Sequence, residues 1–235
     1  MQLGPDTSGT ELIEGGPLVA LVRRPQPADA LPEQGSPALV MIHGFGANEG
    51  DIYELVPFVD RRVLVVAPRG PIKVDDNPRG SWFWSVKTAE GVHDPAVLEE
   101  NAAKLAALIG QLSTLTGVKV DPTQVYLGGF SQGGLMSLEM AARYPDLLAG
   151  ILPQSGLISE GAAHKLRDGI FRGKPAFMVH GTRDTILPVE RGRQAKEVLE
   201  AGGVDLTYKE YNFGHVNSPE SRRDLANWLN PRLKF

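Results

Sequence analysis

Short, predominantly apolar runs without polar alternation recur along this chain at 18–22, 38–42, 63–67, 124–127, 150–152 and 176–179. A strand covered on one face alternates, whereas a strand covered on both stays apolar at successive positions, as in parallel sheets. Runs this short read as buried strands. Between them lie segments of helical period: 95–115, with Val97, Leu98, Leu105, Leu108, Ile109 and Leu112, then 132–144 and 189–201. A last strand at 206–211 and a last helix at 218–229, opening on Ser218 and Pro219 as N-cap and first helical residue, complete the pattern. Alternating strands and helices with right-handed crossovers predict an α/β fold: a doubly wound, mostly parallel sheet with helices on both faces.

A chain of 235 residues, 42% hydrophobic and 22% charged, has the balance of one packed domain over 1–235. The proline- and alanine-rich stretch at 25–37 lies too near the N-terminus to divide it. A formal net charge of −4 offers no basic footprint for nucleic acid. The lack of cysteine excludes disulfides, thiolate metal sites and a cysteine nucleophile, leaving oxygen nucleophiles. Residues 1–16 lack the basic start and apolar run of a secretory signal. No window approaches the roughly 18 uninterrupted apolar residues of a membrane span, so a soluble cytoplasmic protein is expected, as monomer or homodimer. The long irregular stretch at 68–94, carrying Trp82, Phe83 and Trp84, is expected beside the functional site.

The densest chemical signal is Gly129-Phe130-Ser131-Gln132-Gly133, a G-x-S-x-G pattern between the predicted strand at 124–127 and the helix that follows. Glycines permit a sharp strand-to-helix turn that lifts the serine hydroxyl clear of the sheet. No lysine follows them, which argues against a phosphate loop. A serine hydroxyl is a poor nucleophile at neutral pH and needs a base, and the base needs an orienting group.

In the chain order nucleophile, acid, histidine, the base comes last. His43 and His93 precede Ser131, His164 sits in a polar helix-like segment, and His180 ends a strand. His215, in Asn212-Phe213-Gly214-His215 beyond the last strand, meets the requirement. For the acid, Asp184 in His180-Gly181-Thr182-Arg183-Asp184 follows the strand at 176–179, at the sheet edge where active groups gather. Asp205 falls at the opposite edge and Glu210 within a strand.

An oxyanion developing on a substrate needs two N–H donors, one from the residue after the nucleophile, Gln132. His43-Gly44-Phe45-Gly46 after the strand at 38–42 is similar to the H-G-G-G loop of esterases and makes the Phe45 N–H the second donor, with His43 holding the loop shape. The aromatics Trp82, Phe83 and Trp84 either line an acyl site or pack the loop onto the body, and Trp82 and Trp84 are the candidates for the substrate-binding wall. No H-x-H or H-E-x-x-H spacing points to a metal.

Taken together, His43-Gly44-Phe45-Gly46-Ala47-Asn48, Gly128-Gly129-Phe130-Ser131-Gln132-Gly133-Gly134, His180-Gly181-Thr182-Arg183-Asp184 with Pro188-Val189, and Gly214-His215 resemble the phospholipase/carboxylesterase family of α/β-hydrolases, which includes the acyl-protein thioesterases. The resemblance covers nearly the whole chain. It implies an α/β-hydrolase fold, hydrolysis of small-molecule carboxylic esters or thioesters without a cofactor, and an oxyanion hole of the Phe45 and Gln132 amides. Thioesterase-like members follow the loop tryptophan with an aromatic and an acidic residue, whereas Trp82-Phe83-Trp84 ends in a second tryptophan. That departure implies a different acyl-binding surface and favours a carboxylesterase for short or medium acyl chains. An acyl-protein thioesterase or lysophospholipase is the alternative within the family, an acyltransferase shares every residue named, and a non-catalytic acyl-binding protein is the alternative outside it.

Overall fold

The computed structural model describes residues 9–27, 31–74 and 80–235. Residues 1–8 of the N-terminal reading, 28–30 of the 25–37 stretch and 75–79 of the 68–94 stretch lie outside them. The strands are β1 (Glu11–Ile13), β2 (Ala20–Arg23), β3 (Ser36–Ile42), β4 (Leu64–Pro68), β5 (Ile72–Lys73), β6 (Trp82–Phe83), β7 (Val120–Phe130), β8 (Gly150–Gln154), β9 (Pro175–Gly181) and β10 (Asp205–Tyr211). Among the described residues eight of them form one sheet in the order β1-β2-β4-β3-β7-β8-β9-β10, and β5 pairs with β6 apart. From β4 to β10 every pairing is parallel, and β2 runs antiparallel to both β1 and β4. The sheet is the mostly parallel one that the apolar runs predict.

Strand β3 shows why those runs do not alternate. Ala38, Val40 and Ile42 enter one core with Leu98 and Leu105 of helix α1 (Pro95–Gly110) and Leu138 of α3 (Gln132–Arg143). The same core takes in Leu112 of α2 (Leu112–Thr116), Leu166 of α4 (Glu160–Arg167) and Leu199 of α5 (Val189–Ala201). Leu39 and Met41 enter the other core, with Leu225, Trp228 and Leu229 of α6 (Pro219–Leu229) and Leu55 of the 3₁₀ helix Asp51–Phe58. Successive strand residues point to opposite faces, and both faces are roofed by helices. No helix among the described residues is long and apolar enough to cross a membrane.

Three features depart from the sequence reading. The helix expected over 95–115 breaks at Gln111, which leaves helical geometry (φ −108°, ψ 4°) directly after Gly110, a weak helix former. Helix α4 forms where the sequence predicts only a polar helix-like segment, opened by Ser159, whose Oγ accepts from the Ala162 amide at 3.1 Å. The 68–94 stretch is not structureless: it contains the β5–β6 ribbon and a further antiparallel bridge between Lys87 and His93.

Candidate active site

Ser131 stands between β7 and α3 with φ 56° and ψ −113°, a conformation that costs a side-chain-bearing residue on the order of 1–3 kcal/mol. The neighbouring glycines allow the turn. A Cβ on Gly129 would lie 2.5 Å from the carbonyl carbon of Gly133, and one on Gly133 would lie 2.0 Å from the Ile42 carbonyl oxygen. Nothing larger than hydrogen fits where α3 starts against β3. The Ser131 amide donates to Gln154 O at 2.9 Å, which fixes the turn to β8.

Asp184 and His215 come from neighbouring parallel strands whose register pairs Gly181 with Tyr211. Beyond that pair the two loops stay knitted: the Thr182 amide donates to Tyr211 O at 2.8 Å and the Arg183 amide to Phe213 O at 3.0 Å. Gly181 is needed there, because a Cβ would meet Gly214 O and Phe213 O at 2.5 Å. Asp184 Oδ2 accepts from His215 Nδ1 at 2.6 Å, and His215 Nε2 accepts from Ser131 Oγ at 2.9 Å. With its proton on Nδ1, the imidazole turns a free lone pair to the serine.

The acid is held from behind. Asp184 Oδ1 accepts from the Ile186 and Leu187 amides at 2.9 and 2.8 Å. Burial works to raise the carboxyl, but the His215 hydrogen bond and those two amides outweigh it and hold the group below the usual carboxylate range. His180 Nε2 donates to Leu187 O at 2.8 Å and so pins the turn that supplies those amides. Sequence order had set His180 aside as a base, and its positioning role needs the fold of the 184–187 turn to be seen.

His43 takes the structural place expected of it. The Gly70 amide donates to its Nε2 at 2.8 Å, so the proton sits on Nδ1, which donates to Gly44 O at 2.8 Å. Burial lowers its pKa and keeps the ring neutral. The loop it shapes presents Phe45, whose amide donates to no protein acceptor among the described residues. Gln132, as the first residue of α3, likewise has no intrahelical acceptor for its amide. Both residues line the same cavity as Ser131.

That cavity holds about 550 Å³ and is walled mainly by apolar side chains, among them Phe45, Phe83, Leu135, Leu157, Ile186 and Leu187. A second, smaller one of about 160 Å³ shares Phe45 and Ser131 with it and is lined also by His215 and Asn217. The tryptophans do not form either wall. Trp84 is fully buried in the helix-covered core, and Trp82 lies beneath the Arg69 guanidinium, 5.2 Å from its ring centre. Phe83 faces the pocket and stacks on Phe45 at 5.3 Å. The sequence leaves all three aromatics open between lining and packing and does not single out Phe83; the two-residue period of extended chain sets Phe83 on the face opposite to both tryptophans.

A mostly parallel sheet with a serine, histidine and aspartate meeting at its C-terminal edge defines the α/β-hydrolase class. Within that class the phospholipase/carboxylesterase family model matches residues 30–232, and the chain belongs to this family. It is similar to acyl-protein thioesterase 1 of Emericella nidulans, 34% identical over 81% of this chain and 88% of the relative. The protein of the same name from Gibberella zeae is 29% identical over 85% of this chain and 92% of its own length. Among solved structures, esterase PE8 superposes with a TM-score of 0.75 at 26% identity, covering 89% of this chain and 96% of that one.

Proposed function

We propose that this protein is a serine hydrolase that cleaves carboxylic esters, and thioesters of like shape, with short to medium acyl chains. The observation that carries the reading is the unbroken line Ser131–His215–Asp184 at 2.9 and 2.6 Å beside an apolar cavity. His215 Nε2 takes the hydroxyl proton as Ser131 Oγ attacks the acyl carbonyl carbon, while Asp184 stabilises the imidazolium. The Phe45 and Gln132 amides hold the oxyanion. The imidazolium returns its proton to the departing alcohol or thiol, leaving the acyl group on Ser131. Water, deprotonated by His215, then attacks the acyl-enzyme, and the collapsing intermediate releases the acid and restores the serine. The names of the relatives, thioesterase and esterase, agree with both substrate types.

The test is hydrolysis of p-nitrophenyl acetate and butyrate at neutral pH with EDTA, beside Ser131→Ala. Activity that survives EDTA and vanishes in the variant is the expected result. A Ser131→Ala protein with full activity would overturn the reading. Extending the series to long acyl esters tests the chain length: a steady rise to the longest would favour the thioesterase or lysophospholipase alternative.

A further inference from the structure

The larger cavity is apolar along most of its wall, yet besides Ser131 and Gln132 it takes in three further polar side chains, Ser85, Lys87 and His93. Their placement is set by the backbone. The Thr88 amide donates to Val92 O at 2.8 Å and the Asp94 amide to Val86 O at 2.9 Å, which folds 86–94 into a narrow antiparallel turn. Lys87 and His93 are directly paired across it. Side chains at such a paired position stand on the same face, about 5 Å apart at Cβ. His93 Nδ1 lies 3.0 Å from Ser85 Oγ, so the three groups form one cluster.

The charges are unbalanced there. Lys87 has no ion-pair partner among the described residues. The carboxylate of Glu139, the acid whose field reaches His93, is already held by Arg143 and Ser159. Burial of the imidazole, and then the nearby Lys87 ammonium, lower the His93 pKa and keep the ring neutral. An unpaired ammonium, beside an imidazole that carries no charge against it, at one part of a mainly apolar pocket forms a receptor for an anionic group on a chain that starts at Ser131.

We propose that the pocket is built for acyl chains with a carboxylate at the far end, so that half-esters of dicarboxylic acids are preferred substrates, the terminal carboxylate lying against Lys87 and His93. The inference rests on the esterase reading above and names the acyl class for it. Ser131 takes the acyl group at its ester end, the alcohol leaves, and water releases the free dicarboxylate.

The test compares kcat/KM for monoethyl adipate and ethyl hexanoate, acyl chains of equal length with and without the terminal carboxylate, in wild type, Lys87→Met and Lys87→Arg. Lys87 is exposed and bonded to nothing within the fold, so these variants fold normally. The wild type is expected to favour the half-ester. Lys87→Met should lose roughly fivefold on the half-ester alone, Lys87→Arg should restore it, and added salt should shrink the preference. An unchanged ratio in Lys87→Met, or an equal fall on both esters, would overturn the proposal while continued hydrolysis of ethyl hexanoate left the esterase reading standing. Failure to cleave any ester, p-nitrophenyl butyrate included, would instead remove that reading and this inference with it.

Discussion

The side chain of Gln132 spans to the pocket wall: its Oε1 accepts from the Trp84 amide at 2.8 Å and its Nε2 donates to Ser85 O at 2.8 Å. The residue after Ser131 thus fixes the segment that carries Phe83 and Ser85, while Asn101 Nδ2 donates to Trp84 O at 2.8 Å from α1. Both bonds are buried, and neither uses the backbone amide of the same residue, the donor proposed for the oxyanion.

Gln132→Ala keeps that amide and removes both side-chain bonds, leaving the Trp84 N–H and Ser85 C=O unpaired in the interior. The expected cost is about 2 kcal/mol in urea unfolding, together with a KM that rises more than kcat falls as the pocket wall loosens. An unfolding midpoint equal to wild type would rule out this clamp.

Asp184→Asn leaves an amide that satisfies the turn only by turning its oxygen to the Ile186 and Leu187 N–H groups. Its NH₂ then faces His215 Nδ1 and drives the imidazole proton onto Nε2, toward Ser131. The serine loses its proton acceptor, and kcat on p-nitrophenyl butyrate should drop by about 10³–10⁴ with the fold retained. A loss under tenfold would show that Asp184 does not set the tautomer.

His43 is neutral in the folded chain because burial lowers its pKa, and His93 shifts in the same direction. In the unfolded chain a histidine titrates near about 6.5. The unfolded state therefore binds protons that the folded state refuses as pH falls below that value. The stability from these two rings is complete above about 6.5 and declines toward their depressed folded values, by up to about 1.4 kcal/mol per pH unit for the buried His43 and by less for the half-buried, solvent-screened His93. Urea midpoints between pH 7.5 and 5 should fall, and His43→Gln should show a shallower slope despite a lower starting stability. Equal slopes in the two proteins would contradict the neutral His43.

The central strands and the meeting of Ser131, Asp184 and His215 were legible because each depends on a local signal: an unbroken apolar run, a glycine-flanked serine, an acid and a histidine just past strand ends. What stayed hidden depends on register. β1, β5 and β6 have two or three residues each, too few for any period, and exist through pairing with distant partners. The roles of Phe83 and Trp84 follow from which way the 82–84 segment faces, which bonds from Gln132 and Asn101 decide from far along the chain. Lys87 and His93 look like two loop residues until the antiparallel bridge sets them side by side.

The two glycines of the serine motif differ in what they permit, and Gly133 gives the stricter test. A Cβ there would sit 2.0 Å from Ile42 O and 2.7 Å from its carbonyl carbon, both backbone atoms of a central strand buried on each face. No rotamer change relieves such a contact, so α3 would have to lift away from β3 and uncover Leu135 and Leu138, which are buried in the core. Gly133→Ala should therefore cost more than about 4 kcal/mol and yield little soluble protein. At Gly110, the last residue of α1, a Cβ meets nothing within 4 Å, so Gly110→Ala should match or exceed wild-type stability. Soluble, active Gly133→Ala protein with a wild-type unfolding midpoint would mean that α3 does not lie against β3 as described.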